Sequence, residues 1–405
     1  MIDIIGGFYE ELCLYPQWNH FFGSGGRAAV ALSKLDKIVF HTYAHKDSKF
    51  NLDYFSKIYD IETDAHNSTV MVKFEYYNSL SNPRIHTFNS TLVQQKQITI
   101  KADTVICYGM LEAPNPIIDA DYVIFDPQSE NDPSMIFNNG STIKHLSIVL
   151  NVEEGKKYTN KEFVEEIAQC FFEQSNILEV LILKDGPFGA HVFYNNEHHH
   201  IGSYGTNHVF KIGSGDVFVA IYGYMWAKEK LPPLEAAKQA SLATAHYCNS
   251  KVLPIDNNIF TNSLPTFPAI IVNKEIFNKT IYLAGPFFTM AERWLIEEAK
   301  YQLQKFGAKV FSPLHDVGYG EPNFVTQADL KGIDDANILY AVLDDYDPGT
   351  IFEIGYAIAK QKPVVIFIEN KVVINMTLFE GSGCVIEHDF ATSIYKTIWE
   401  VAKTL

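Results

Sequence analysis

The residues best placed to do chemistry lie near the end of the chain, where Asp347-Pro348-Gly349-Thr350-Ile351-Phe352-Glu353 sets two carboxylates around a glycine turn. Before them, residues 337–343 form a short, mostly apolar run of the kind a buried parallel strand shows. After them, Ile351, Ile354, Tyr356, Ala357 and Ile358 follow helical spacing, and Lys360, Lys362 and Pro363 mark its end. Strand, turn and helix in that order put Asp347 and Glu353 at the carboxyl edge of a sheet, where open α/β folds bind ligands. Paired carboxylates there point to glycosidic-bond chemistry. Thr350 and Glu353 also have the spacing of a capping box, a purely structural role. A helix N-terminus in that position would keep Glu353 ionised, as a nucleophile requires.

The whole chain bounds what can surround such a site. Its 405 residues exceed what one core usually supports, so two domains are expected. With 47% hydrophobic and 20% charged residues it has the composition of a globular protein. A net charge of −16 argues against a nucleic-acid partner. Residues 1–7 enter a strand directly, without the basic and apolar regions of a leader, and no run approaches the roughly 20 apolar residues of a membrane span. The 5 cysteines are scattered, as reduced thiols in a cytoplasmic protein would be. His198, His199 and His200 invite a metal reading, but they follow Asn195 and Asn196 and read as a solvated hairpin turn, since neighbouring strand residues point to opposite faces.

The elements divide into two modules. Strands and helices alternate up to a helix over 233–249, and a stretch with Pro254, Pro265 and Pro268 follows. We place a first domain at 1–254, a linker at 255–278 and a second domain at 279–405. In the second, strands are expected over 280–284, 308–311, 337–343 and 364–368. Helices are expected over 289–306, around 326–336 and over 350–361. That alternation predicts βαβ units, a parallel sheet and a doubly wound, flavodoxin-like α/β domain.

Four motifs in order give this second domain a resemblance to the nucleoside 2-deoxyribosyltransferase family over about 279–380. They are residues 279–289 with Tyr282, Gly285, Phe287 and Phe288; Asp329-Leu330-Lys331-Gly332; the Asp347–Glu353 segment; and Ile374-Asn375-Met376. The resemblance implies that Glu353 attacks the anomeric carbon of a 2′-deoxynucleoside and forms a covalent deoxyribosyl-enzyme. Two displacements then retain configuration. It implies that Tyr282 donates its hydroxyl to Glu353, although a strand tyrosine can equally fill a core. Asp347 and Asp329 would face the base, one of them protonated to assist departure of the leaving nitrogen. By residue type alone Asp329 fits a helix cap just as well. Phe287 or Phe288 would stack on the base. Asn375 and Met376 would complete the sugar site of a neighbouring subunit, giving a homo-oligomer with shared sites. Asn375 favours nucleosides over nucleotides, because a hydroxyl side chain there would better meet a phosphate.

The first domain resembles the ribokinase-like (PfkB-type) sugar and nucleoside kinases, implying an α/β fold. Gly213-Ser214-Gly215-Asp216 resembles that family's anion hole, whose backbone N–H groups hold phosphate charge while Asp216 takes the acceptor's proton. Gly186, in the segment that begins at Lys184, resembles the nucleotide-side turn. Asn151 and Glu154 resemble the segment that holds Mg²⁺. Arg27 stands in the substrate loop where the family has asparagine; it would crowd a plain sugar and could pair with a phosphate or carboxylate. ATP and Mg²⁺ are thus the cofactors this domain allows, with phosphoryl transfer weak or absent. Glycosyl transfer needs no cofactor, and we expect no metal in the second domain. The alternative is an N-glycosidase acting on nucleosides or nucleotides, or a nucleotide-depleting effector with the first domain as its sensor.

Overall fold

The structure, a computed structural model, describes residues 1–88, 95–128, 133, 135–261, 267–271, 278–369 and 376–403. The chain folds as two compact units. One comprises Met1–Thr206 with Phe210–Ala269; the other comprises Asn207–Val209 with Ile270–Leu405.

In the first unit a nine-stranded sheet runs in the order Glu197–Ile201, Ala190–Tyr194, Leu178–Lys184, Thr142–Asn151, Ile117–Asp126, Thr99–Tyr108, Ile2–Ile5, Ile38–His45, Glu62–Ser68. Its pairs from Leu178–Lys184 to Glu62–Ser68 are parallel, and apolar runs such as residues 105–108, 123–125 and 148–150 are buried on both faces. One edge closes with an antiparallel hairpin, Ala190–Tyr194 against Glu197–Ile201. Its turn is Asn195-Asn196, both at positive φ (52° and 60°), the backbone that asparagine tolerates best. The three histidines are therefore not in the turn expected for them. They form the returning strand, which leaves His198 and His200 on one face and His199 on the other. A separate four-stranded sheet joins Trp18–Phe21, Glu10–Tyr15, Met71–Asn78 and Arg84–Phe88.

The second unit carries a five-stranded, all-parallel sheet in the order Lys309–Phe311, Thr280–Ala284, Ile338–Val342, Val364–Phe367, Val385–Glu387. Counted along the chain this is 2-1-3-4-5, a doubly wound, flavodoxin-like order, with one strand, Val385–Glu387, beyond the four expected. Helices Pro322–Asp335 and Pro348–Ala359 pack together, as do Met290–Lys305 and Phe390–Lys403. Strand alternation assigns side chains to these layers. Tyr282 and Leu339 join the core with Ile333 and Ile354, while Tyr340 points the other way and its hydroxyl meets Ser393 Oγ at 2.9 Å. The order reverses between Thr280–Ala284 and Ile338–Val342, so the crevice at their carboxyl ends is the ligand position this topology creates.

Candidate active site

Glu353, Tyr282 and Asp329 reach that crevice from three elements. Tyr282, on strand Thr280–Ala284 beside the switch point, donates its hydroxyl to Glu353 Oε1 at 2.5 Å. Its ring stacks on Phe311 at 5.5 Å between centroids, which fixes the phenol from the side. Burial and the neighbouring Glu353 charge push the Tyr282 hydroxyl well up, so it stays protonated and acts only as a donor.

Helix Pro348–Ala359 begins earlier than the capping-box reading allows. Its N-cap is Asp347, whose Oδ2 accepts from Thr350 N at 2.7 Å and from Thr350 Oγ1 at 2.9 Å, with Pro348 opening the first turn. Proline at that point needs no hydrogen-bond partner and presets helical φ, so the start falls at Asp347 and Thr350 becomes its partner. Glu353 is consequently no cap. It lies beyond the first turn, where the helix dipole has weakened. Burial pushes its carboxyl up to about 7, the Tyr282 hydrogen bond pulls the other way, and Asp329 and Asp347 add to the rise. The expectation of a side chain held ionised by the helix end is thus corrected: near neutrality Glu353 carries a mixed population.

Asp329 sits inside helix Pro322–Asp335 and so is not a cap either. Burial raises its pKa, and its buried Oδ1 has no hydrogen-bond partner among the described residues. An unsatisfied buried carboxyl oxygen in a ligand crevice is a group awaiting a partner. Gly332 brings that helix close: a Cβ there would lie 2.4 Å from the Phe311 ring.

The mouth is aromatic. Phe287 and Phe288 stack at 5.3 Å, Tyr319 meets Phe287 edge-on at 6.0 Å, and Phe288 is 66% exposed. Arg293 braces this loop by donating to the Phe287 carbonyl at 2.8 Å and to Tyr319 Oη at 2.9 Å. Neither Arg293 nor Tyr319 was foreseen; only an aromatic next to a glycine-rich turn hinted at the second. Gly285 packs tightly, its missing Cβ position lying 2.6 Å from Ile296 Cδ1. Met376 lies against its own unit's core. Asn375 lies outside the described residues.

In the first unit, Gly213 takes φ +75° as the N-cap of helix Ser214–Gly223, which places Ser214, Gly215 and Asp216 in the first turn. Arg27 does not wait for a ligand there. It is fully buried, and its guanidinium donates to Asp216 Oδ2 at 2.8 Å and to both carboxylate oxygens of Glu11. A Cβ at Gly213 would fall 2.0 Å from Arg27 Nε, so the glycine is what admits the arginine. Burial raises Asp216 to about 6, opposed by Arg27. Asn151 and Glu154 form a reciprocal capping box, each bond 2.8 Å, on helix Val152–Thr159. Lys184 places its ammonium 2.8 Å from Asp126 Oδ2. Gly186 opens a short 3-10 turn at φ 55°. Tyr9, Glu11, Phe74, Tyr76, Met110 and Asp216 line a cleft of about 260 Å³. Glu11 and Asp126, the partners of the two cations, carried no readable signal because their roles depend on strands far away in sequence.

Among known proteins, the family model described as nucleoside 2-deoxyribosyltransferase matches residues 281–399. An uncharacterized protein of Ureaplasma parvum serovar 3 is 37% identical over 98 residues, 21% of this chain; the chain spans 62% of that relative's length. Among solved structures, ribokinase from Giardia lamblia is similar with a TM-score of 0.50 at 14% identity, covering 64% of this chain and 97% of its own. Ribokinase from Thermotoga maritima gives 0.49 at 19% identity, covering 64% and 98%. The chain thus joins a unit with the ribokinase fold to a nucleoside 2-deoxyribosyltransferase domain at residues 281–399.

Proposed function

We propose that the second unit cleaves the N-glycosidic bond of a 2′-deoxynucleoside and passes the deoxyribosyl group to another base through an ester on Glu353. The observation that carries this reading is the 2.5 Å Tyr282–Glu353 hydrogen bond at the switch point of the sheet. The Glu353 carboxylate attacks the anomeric carbon as the C–N bond breaks, and the departing nitrogen takes the Asp329 proton. An incoming base then attacks the ester from the opposite side, its N–H proton returns to Asp329, and Glu353 is released as carboxylate. Tyr282 fixes the carboxylate's orientation. Asp329 suits the acid role better than Asp347, because Thr350 already occupies Asp347 Oδ2 while Asp329 Oδ1 is buried and unpartnered. Phe287, Phe288 and Tyr319 offer the base an aromatic rim. Incubation with deoxyinosine, with and without adenine, tests the reading. A new deoxynucleoside supports transfer; free deoxyribose alone would replace it with hydrolysis.

For the first unit we propose binding of a nucleoside-like or phosphorylated small molecule with phosphoryl transfer weak or absent. Asp216 is spent on Arg27, one Glu154 oxygen on Asn151 N, and Asp126 on Lys184. These residues do not fit a metal-bound nucleotide awaiting in-line transfer, because its acidic ligands already have partners. Incubation with ATP·Mg²⁺ and a panel of ribose, deoxyribose and nucleosides, read as ADP, should give background. Robust ADP formation that Asp216→Asn abolishes would overturn this.

A further inference from the structure

The edge hairpin of the first unit brings two imidazoles face to face. His191 Nδ1 lies 3.0 Å from His198 Nε2, from opposite strands of the Ala190–Tyr194 and Glu197–Ile201 pair. The outer nitrogen of each ring faces a carboxylate: His191 Nε2 is 3.5 Å from Asp185 Oδ2, and His198 Nδ1 is 3.4 Å from Glu165 Oε1. A carboxylate behind an imidazole favours the tautomer with its proton on the carboxylate side. Both inner nitrogens then carry lone pairs and can hold a cation between them, unless one ring moves its proton inward and donates an N–H···N bond to the other. A shared proton is one such cation. A metal ion is the other, and the carboxylate–histidine pairing is the support that metal-binding imidazoles usually have.

We propose that His191 and His198 form a two-nitrogen site for a late first-row divalent metal, with Cu²⁺ and Ni²⁺ preferred over Zn²⁺ and water completing the coordination. At bonds of roughly 2.0–2.1 Å, two nitrogens at right angles stand about 2.9 Å apart, while tetrahedral ligands stand about 3.3 Å apart. The observed 3.0 Å, also an ordinary N–H···N distance, lies nearer the right-angle value. The site is built rather than incidental. His191 is 7% exposed, and Phe193 stacks on the His198 ring at 4.3 Å with 13° between planes, which holds it in place. His200, on the same face, points its Nε2 to the Phe188 carbonyl at 2.8 Å, and His199 lies on the other face with Glu197. Among the described residues no group of three histidine, cysteine or acidic side chains converges as a metal cage, so protein supplies two ligands and binding is of modest strength.

The test uses the full chain without an affinity tag, titrated calorimetrically with CuSO₄, NiCl₂ and ZnCl₂ at pH 7.5. Cu²⁺ and Ni²⁺ should bind at one per chain and tighter than Zn²⁺, and binding should weaken as pH falls because protons compete for the same nitrogens. His198→Gln and His191→Gln should each weaken binding by about tenfold or more, with His199→Gln unchanged. Circular dichroism confirms that each variant is folded, and electron paramagnetic resonance of the Cu²⁺ form should show two equatorial nitrogens. Absence of binding to the wild-type chain would leave the pair as an N–H···N hydrogen bond and overturn the site. So would loss in His199→Gln with retention in His198→Gln, which would make the histidine run a sequence-local chelator.

Discussion

At the scale of single residues, the informative conflict is that Glu353 must be a carboxylate to attack, yet burial favours its neutral form. Two outcomes follow. The pH profile of kcat/KM should fall on the acid side with an apparent pKa of about 7, since protonation removes the nucleophile. The Tyr282 hydrogen bond lowers that value, so Tyr282→Phe should move the acid limb to higher pH as well as slow turnover. An unmoved limb would mean that Tyr282 only fills space. Glu353→Gln should abolish base release, because an amide cannot form the sugar ester. Its effect on stability has a definite sign. A carboxyl raised on folding stabilises the protein below its unfolded pKa, and that contribution is lost as pH rises through about 7. The neutral amide escapes the loss. The variant should therefore melt a few degrees above the wild type at pH 8, with the gap closing toward pH 5. A variant that melts lower at pH 8 would make Glu353 a stabilising group rather than a strained one.

At the scale of elements, the parallel sheet was legible because apolar runs and helical spacing alternate cleanly over 280–368, whereas the three-residue fifth strand Val385–Glu387 is too short to show such a pattern. Helix starts were less so. Thr350 and Glu353 have capping-box spacing, but Pro348 fixes the first turn and hands the cap to Asp347. Asp329 could not be placed within its helix from residue type, since the start depends on Pro322 rather than on a polar cap. Gly332 shows what such placement requires. Alanine is the better helix former, and in an open helix would add about 1 kcal/mol. Here its Cβ would meet the Phe311 ring at 2.4 Å, so overpacking should win, at about 1–3 kcal/mol. Gly332→Ala should lower the melting temperature and reduce kcat more than it raises KM, because the displaced helix carries Asp329. Phe311→Leu in the same chain should restore part of both. If the double variant recovers nothing, the close approach is not what positions the acid.

At the scale of the molecule, each unit has its own core, and its own reason why some site residues were unreadable. In the first unit, Arg27 was expected to meet a ligand, but its partners Glu11 and Asp216 come from a separate strand and from a helix 189 residues away. Long-range pairing of that kind leaves no local trace. In the second unit the unfinished part is its surface, where Phe288 and Tyr319 at the aromatic mouth, and likewise Met290, Trp294, Phe324 and Phe352, are all more than half exposed. So much exposed aromatic and apolar surface beside a ligand crevice is costly unless something covers it. A second copy of this chain is the covering partner we propose, with Asn375 reaching the neighbour's sugar site. Under that arrangement Glu353→Gln and Asn375→Ala subunits fail for different reasons, one lacking the nucleophile and the other the donated contact. Mixed and allowed to exchange, they should regain up to about a quarter to a half of wild-type activity, because some sites then combine an intact Glu353 with an intact Asn375. Trp294→Asp at the exposed rim should shift the protein toward monomer by light scattering and lower activity in parallel. A chain that is monomeric and fully active, or variants that stay inactive however they are mixed, would confine the site to one subunit.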